Sequence, residues 1–314
     1  MQIGRYNFHC TLQDEALLPP YKGSTFRGAF GTALKKAVCV ARQQECTSCL
    51  LAERCIYACT FEAGKMPVNS PDSKASMPPP YVIEPPLETR TAYPPGSPFN
   101  FSLLLFGETN ASLPYFVYAF EIMGTSGIGK RIKGQRARFT LEKVTSRGNV
   151  IYENSIRKLL PVPAVDAILH PDWQGPDCTV VSIQLLTPLR LKHNNTLSSR
   201  LPFDMLVRAM LRRISSIYEQ YGAGEPAIDY RGLIAGAAGV STASSTLRWH
   251  DWERYSNRQE QAMMMGGLLG DVTYRGNITP YLPLMELCKE LHIGKQSSFG
   301  LGMFDYRIIT EEVS

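Results

Sequence analysis

The chain has 314 residues, 44% of them hydrophobic, which is ordinary for a globular protein and suits two domains. Its 33 basic and 28 acidic side chains leave a net charge of +5, so the overall charge identifies no partner and local clusters are more informative. Residues 101–107 are too short to span a bilayer, and Arg5 and His9 interrupt any signal-like apolar run. We therefore expect a soluble, cytoplasmic protein with no membrane partner.

The first half of the chain predicts alternating strands and helices. Residues 3–12 alternate in polarity like an edge strand, and residues 21–41 predict a turn followed by a helix. A cysteine-rich loop (39–59) and a proline-rich segment (64–98) follow, and we expect the latter to be an irregular path over the surface. The remaining predictions are a strand at 99–107, a helix at 113–124 and a hairpin at 137–153.

The second half repeats this order. A strand run rich in Val, Ile and Leu is followed by a long amphipathic helix, two strands, a helix and a final strand; these cover residues 178–191, 201–222, 246–256, 267–278, 281–294 and 302–310. Both halves therefore predict a β-α-β-β-α-β unit. The predicted fold is α+β, with two tandem ferredoxin-like domains. They span residues 1–158, with the cysteine-rich insertion, and 178–314, joined by a linker at 159–177.

Five of the eight cysteines lie between residues 39 and 59. Cys46 and Cys49 form a CxxC pair with Cys39 and Cys55 on either side, and four thiolates can complete a tetrahedral zinc shell. A reducing compartment disfavours disulfides. The spacing therefore predicts a structural zinc bound by these four residues. An iron–sulfur cluster uses the same ligands, and buried free cysteines are the remaining alternative.

Two glycine-rich segments occupy equivalent positions, each between the second helix and the last strand of its half. We call residues 294–302 the C-terminal glycine loop and residues 124–139 the basic glycine segment. Glycines allow the backbone to approach a ligand closely. The basic glycine segment also has five cations and no acidic residue, which predicts a phosphate-binding surface; the cations are Lys130, Arg131, Lys133, Arg136 and Arg138. A nucleotide P-loop is excluded, because that motif follows a strand and opens a helix.

Residues 249–308 resemble the C-terminal domain of the CRISPR-associated endoribonucleases that cleave repeat RNA, which belong to the RAMP superfamily. Residues 21–40 and 46–57 resemble the cysteine-containing branch of the same family. The resemblance implies a metal-independent cut, in which a 2′-hydroxyl attacks its own 3′ phosphate to give a 2′,3′-cyclic phosphate and a 5′-hydroxyl. It also implies CRISPR repeat RNA, as precursor and as mature guide, and other CRISPR effector proteins as partners. DNA is then not a substrate, because it lacks the 2′-hydroxyl.

This chemistry needs a base, an acid and a cation at the phosphate. Relatives of this branch carry a histidine where this chain has Thr32, so the predicted catalytic residues are Tyr21, Lys35, Lys36 and His292. The predicted RNA-binding residues outside the basic glycine segment are Arg254, Arg258, Gly294, Lys295, Ser297, Ser298, Gly300 and Gly302.

Three further side-chain predictions and two alternative functions complete the analysis. His250 lies between two tryptophans and is predicted to pack, whereas Arg212 and Arg213 are predicted on the polar side of the long helix, as a solvated face or an RNA contact. Thr32 favours the first alternative, a non-catalytic RAMP subunit that holds guide RNA. The second alternative is an unrelated zinc-organised scaffold.

Overall fold

The computed structural model of the chain describes residues 1–41, 44–62, 77–161, 165–166, 169, 175, 177–193, 196–256 and 261–309. The chain divides into two compact units, which we call unit 1 (Met1–Asp166) and unit 2 (Ala167–Ser314). The greater part of the predicted linker, residues 159–177, lies outside the described residues. None of the described helices combines the length and the apolar character that a membrane crossing requires.

Unit 1 is built around one antiparallel sheet with strand order β10-β9-β8-β1-β5-β3. The order β8-β1-β5-β3, with a helix after β1 and another after β5, is the ferredoxin-like arrangement and confirms that prediction. The elements of unit 1 are β1 Gln2–Leu12, β2 Ala16–Leu17, α1 Gly23–Val38, β3 Tyr81–Glu84, β4 Ala92–Tyr93, β5 Pro98–Phe106, α2 Leu113–Ser126, β6 Ile128–Ile132, β7 Gln135–Ala137, β8 Phe139–Ser146, β9 Asn149–Glu153, β10 Lys158–Leu159 and β11 Val165–Asp166.

An aromatic core joins the two helices of unit 1 to the sheet. The Phe30 ring of α1 stacks on the Phe120 ring of α2 with their centroids 4.6 Å apart, and Phe8 of β1 stacks on Phe101 of β5 at 4.9 Å. These four side chains are almost completely buried. Their burial fixes which face of α1 points inward, and therefore which of its residues reach the surface.

Two predictions for unit 1 are wrong in detail. The strand at residues 3–12 is central rather than an edge strand, since β1 pairs with β5 on one side and with β8 on the other. Its alternating pattern arises because one face of the sheet is covered by helices and the other is half-buried. The proline-rich segment is not irregular throughout, because Tyr81–Glu84 forms the fully buried β3, while residues 64–76 of this segment lie outside the described residues.

Unit 2 repeats the arrangement with strand order β15-β17-β12-β18, and β16 also pairs with β17. Helix α3 follows β12 and helix α5 follows β17, so this unit is ferredoxin-like as predicted. Four of its elements, the helix α4 and the strands β13, β14 and β15, were not predicted. The elements of unit 2 are β12 Val180–Leu189, β13 Lys192–His193, β14 Thr196–Leu197, α3 Phe203–Tyr221, α4 Tyr230–Ala237, β15 Ser241–Ser245, β16 Arg248–Ser256, β17 Gln261–Arg275, α5 Leu282–Leu291 and β18 Phe304–Ile308.

Candidate functional site

The C-terminal glycine loop runs from α5 to β18 and is folded back on itself. Gly294, Gly300 and Gly302 all have positive φ, at 82°, 81° and 74°, where residues with a Cβ are strained. The Ile293 amide donates to the Gly302 carbonyl at 3.0 Å, which brings the two ends of the loop together. A Cβ on Gly302 would overlap the Ile293 carbonyl oxygen. The glycines are therefore required by the closed shape of the loop.

The end of β12 anchors this loop to the sheet. The Gly302 amide donates to the Pro188 carbonyl at 3.1 Å, and the Lys295 amide donates to the Arg190 carbonyl at 2.9 Å. Among the predicted RNA-binding residues of the loop, Lys295 is exposed, whereas Ser297 and Ser298 are only 5% and 4% exposed. In this conformation the loop offers one cation at the surface and keeps its two serine side chains inside.

His292, predicted as catalytic, is completely buried at the end of α5. Its ring Nδ1 lies 3.2 Å from the Leu301 carbonyl oxygen of the loop. Arg213 was predicted on the polar side of α3, yet it is 8% exposed and its guanidinium donates to the Leu291 and His292 carbonyl oxygens. Burial lowers the pKa of this guanidinium to about 10. Neither side chain can touch a ligand in this arrangement, so both act on the backbone that carries the loop.

Arg190 is a charged residue near the loop that sequence reasoning did not assign. Its Nη1 donates to the Gly266 carbonyl oxygen of β17, and its buried Nε has no hydrogen-bond partner among the described residues. Burial lowers the pKa of Arg190, and the neighbouring Asp251 acts in the opposite direction. The signal available in the sequence was its position at the end of the predicted strand, residues 178–191.

Strand β16 is rich in aromatic and charged residues. His250, predicted to pack, is exposed, and its ring stacks on Trp252 with the centroids 5.9 Å apart. On the other face of the strand, the Trp249 indole donates to Asp251 at 2.8 Å. The predicted RNA contact Arg254 belongs to β16. The predicted RNA contact Arg258 lies outside the described residues.

The basic glycine segment of unit 1 forms a two-stranded hairpin, β6–β7, that was predicted only as a turn. Lys133 and Gly134 have φ angles of 49° and 84°, which is typical of a tight two-residue turn. Lys130, Arg131 and Lys133 are exposed and Arg136 is half-buried. Within the part of the chain that the structure describes, none of these four cations forms an ion pair, whereas the adjacent Arg138 is bound to Asp14 at 2.9 Å. The hairpin therefore presents uncompensated positive charge.

Helix α1 carries two of the predicted catalytic residues, Lys35 and Lys36, and a third, Tyr21, lies just before it. Thr32 and Lys36 are exposed and one turn apart, and the Thr32 hydroxyl donates to the Gly28 carbonyl at 3.2 Å. Lys35 is half-buried, with its Nζ 5.5 Å from the centre of the Tyr57 ring. Tyr21 precedes the helix, and burial raises the pKa of its phenol well above the ordinary value. Of the two predicted catalytic lysines of α1, Lys36 is the exposed one.

The four cysteines predicted to bind zinc lie directly after α1 and at the ends of two short 3₁₀ turns, Cys46–Ser48 and Ala52–Arg54. Burial raises the pKa of the Cys46 thiol, and the nearby Cys55 and Cys39 act in the same direction. In the described residues, however, no three His, Cys, Asp or Glu side chains are grouped so that they could hold a metal ion. The zinc site therefore stays a prediction from spacing.

Comparison with known proteins gives matches for both halves of the chain. Residues 1–164 match the family model AF_1859_N, described as an N-terminal domain, and residues 183–304 match the model of the CRISPR-associated endoribonuclease Cas6. A relative from Archaeoglobus fulgidus, described as an uncharacterized protein, is 24% identical over 295 residues, which are 92% of this chain and 93% of the relative.

Solved structures with the same fold include several Cas6 proteins. A Cas6 product complex has a TM-score of 0.56 at 12% identity and covers 97% of this chain and 100% of its own. Thermus thermophilus Cas6 has a TM-score of 0.55 at 11% identity, with 98% of each chain covered. A partial Cas6-RT-Cas1–Cas2 complex has a TM-score of 0.58 at 11% identity, and the match covers 100% of this chain and 47% of that one. The chain therefore belongs to the AF_1859_N family, and residues 183–304 in its second half match the CRISPR-associated endoribonuclease Cas6.

Proposed function

We propose that the protein cuts CRISPR precursor RNA within its repeats without a catalytic metal. The 2′-oxygen of one nucleotide forms a bond to its own 3′ phosphorus, and the bond from phosphorus to the 5′ oxygen breaks. The 2′ proton passes to a base or to water, and the leaving 5′ oxygen takes up a proton. The observation that carries the proposal is the Cas6 match over residues 183–304, which contain the C-terminal glycine loop.

Binding of the RNA backbone is supported by the uncompensated cations of the β6–β7 hairpin. Lys130, Arg131, Lys133 and Arg136 have no ion-pair partner among the described residues, so their charge is available to phosphates. Lys295 supplies a further exposed cation in unit 2. Each phosphate neutralised on a single strand contributes about −0.7 to the slope of log affinity against log salt. A strongly salt-dependent affinity is therefore expected.

Base contacts are supported by the exposed His250–Trp252 stack on β16. Aromatic rings bind unpaired bases by stacking, and each such contact contributes roughly 1–3 kcal/mol. His250 is exposed and Trp252 is partly exposed beneath it. Arg254, predicted from the sequence to contact RNA, lies two residues further along the same strand.

The chemical roles are best supported on α1. Lys36 is exposed, so its ammonium can reach the crowded phosphate. Tyr21 lies just before α1, and burial raises the pKa of its phenol, which keeps the proton on the phenol; its role as a proton donor to the leaving oxygen stays a prediction. His292 is completely buried, and we therefore remove it from the catalytic set.

The test is incubation of the purified protein with its host's repeat RNA in excess EDTA. A matched RNA with a single 2′-deoxy nucleotide at the cut site serves as the control. We expect one cut in EDTA, a 2′,3′-cyclic phosphate on the upstream product, and no cut in the deoxy substrate. Cleavage of the deoxy substrate, or a cut that EDTA abolishes, would contradict the proposed chemistry.

The second candidate is a subunit that binds guide RNA without cutting it. It is favoured by Thr32, an exposed hydroxyl on α1 at the position where the resembling branch carries a histidine. A Thr32→His variant separates the two candidates. If the wild type binds but does not cut, and the variant gains a cut at one site, the wild type is the non-catalytic form.

A further inference from the structure

A buried arginine of α3 grips the end of α5 from which the C-terminal glycine loop starts. The Arg213 Nη2 donates to the Leu291 carbonyl oxygen at 2.9 Å, and its Nε lies 3.1 Å from both the Leu291 and the His292 carbonyl oxygens. The last carbonyls of a helix have no acceptor role within the helix itself, and they carry partial negative charge. A guanidinium with several donors therefore fixes this helix end firmly.

His292 extends these contacts from the end of α5 into the loop. Its backbone has φ 57° and ψ 148°, a region that residues with a Cβ rarely adopt, so the surroundings must hold it there. Its ring is fully buried, with Nδ1 3.2 Å from the Leu301 carbonyl near the far end of the loop. The ring thus ties the first turn of the loop to its last residues.

A backbone hydrogen bond also joins the two ends of the loop. The Ile293 amide donates to the Gly302 carbonyl at 3.0 Å, directly beside the His292–Leu301 contact. The path from α3 to the loop therefore runs through Arg213, the α5 end, His292 and Leu301. It contains no exposed side chain, so it cannot contribute a direct contact to RNA.

We propose that Arg213 and His292 are positioning residues, which hold the C-terminal glycine loop in the shape that receives RNA. This inference rests on the proposed function of the loop. A buried guanidinium is costly to desolvate, and an apolar side chain of similar volume would pack there at lower cost. Fixing the direction in which the chain leaves α5 is a role that an apolar side chain cannot fill, because it has no donors for the two carbonyls.

The test compares Arg213→Met, Arg213→Lys, His292→Ala and His292→Gly with the wild type. Ile214→Val is the control, because Ile214 is a fully buried neighbour on α3 with no bond to the loop. The first readout is hydrogen–deuterium exchange of residues 293–302 in the RNA-free protein. We expect faster exchange there in Arg213→Met and in both His292 variants, with the amides of β12 and β17 still protected as in the wild type. Arg213→Lys should be intermediate, because one ammonium replaces a fork of donors.

The second readout is affinity for repeat RNA across a salt series. We expect Arg213→Met and His292→Gly to weaken binding roughly tenfold, the worth of about one charge-assisted contact. Glycine adopts the φ and ψ of His292 without strain, so His292→Gly should melt no lower than His292→Ala and yet lose the loop contact. Unchanged exchange at 293–302, or loss of protection spread evenly through unit 2, would overturn the inference. If the wild type binds no RNA, the proposed function fails, while the exchange data still decide whether these residues hold the loop.

Discussion

Replacing Gly302 with alanine should force the C-terminal glycine loop open. Gly302 has a φ of 74°, and a Cβ at this position would overlap the Ile293 carbonyl oxygen and lie 2.8 Å from its carbon. Relief of this overlap requires the backbone to move. Two hydrogen bonds hold that backbone, from Ile293 to Gly302 at 3.0 Å and from Gly302 to Pro188 at 3.1 Å. The substitution therefore combines strain with the loss of both bonds.

The cost can be estimated from these two terms. An alanine in the left-handed region loses about 1–2 kcal/mol, and each backbone hydrogen bond contributes about 0.5–1.5 kcal/mol net. The free energy of unfolding of unit 2 should then fall by roughly 2–5 kcal/mol. For a unit of about 150 residues, each kcal/mol shifts the melting midpoint by about 2–4 °C.

Calorimetry of the variant beside a matched control checks this estimate. Gly224 also has a positive φ, 110°, and no heavy atom lies within 4 Å of a Cβ built there. Gly224→Ala should therefore show only the backbone term, and its midpoint should fall by the smaller amount. Hydrogen exchange should rise at residues 293–302 in Gly302→Ala and stay unchanged there in Gly224→Ala. Equal shifts in the two variants would refute the steric argument.

Three other predictions follow from charge and spacing. Lys130→Gln with Lys133→Gln should weaken RNA binding for all sequences and reduce the salt slope by about 1.4, measured by titration at several salt concentrations. The hydrogen bond from Lys289 lowers the pKa of Asp305 below its ordinary value of 3.8, so its stabilising contribution is present above that value and is lost as the pH falls through the lowered pKa. The difference in melting midpoint between the wild type and Asp305→Asn should accordingly shrink below about pH 3.8. Elemental analysis should find zinc that Cys46→Ser reduces; iron with visible absorption would indicate a cluster instead.

The fold could be predicted from periodicity because each unit repeats the same alternation of strands and helices. The strand β3 was missed because prolines bracket it and all four of its residues are buried, so no alternation marks it. An edge strand tolerates neighbouring prolines, since one of its sides needs no ladder. Composition alone therefore predicts a loop where the sheet needs its fourth strand.

The position of Arg213 was predictable from spacing, although its charge suggested the opposite. The buried residues Leu206, Met210 and Ile217 of α3 recur at helical intervals, and residue 213 falls three after 210 and four before 217. The buried face of α3 therefore includes Arg213. The sequence alone does not show which groups accept hydrogen bonds from the Arg213 guanidinium. The carbonyls of Leu291 and His292 reach it only after α5 packs on α3.

The catalytic prediction for His292 illustrates a different limit. A histidine beside a glycine-rich loop indicates a reactive group when only its neighbours in sequence are considered. Its burial follows from the left-handed turn at the end of α5 and from the Leu301 carbonyl that its ring meets. The turn and the contact with Leu301 both require the loop to fold back on itself. Three glycines with positive φ permit this conformation, but their presence in the sequence does not determine it.

The two glycine-rich segments occupy the same place in their units but differ in structure and charge. In unit 1 the segment is a hairpin with four cations that lack ion pairs among the described residues, so it offers charge that attracts any phosphate backbone and is weakened by salt. In unit 2 the segment is tied down by two strand-end carbonyls and by His292, and it exposes one lysine. Phosphate contacts position a nucleic acid without reading it, whereas a rigid surface can select one local shape. On the proposed function, the hairpin of unit 1 would supply mainly affinity and the loop of unit 2 mainly the local shape at the cut site. Charge substitutions in the hairpin should then change how much RNA is bound, and loop substitutions should change where it is cut.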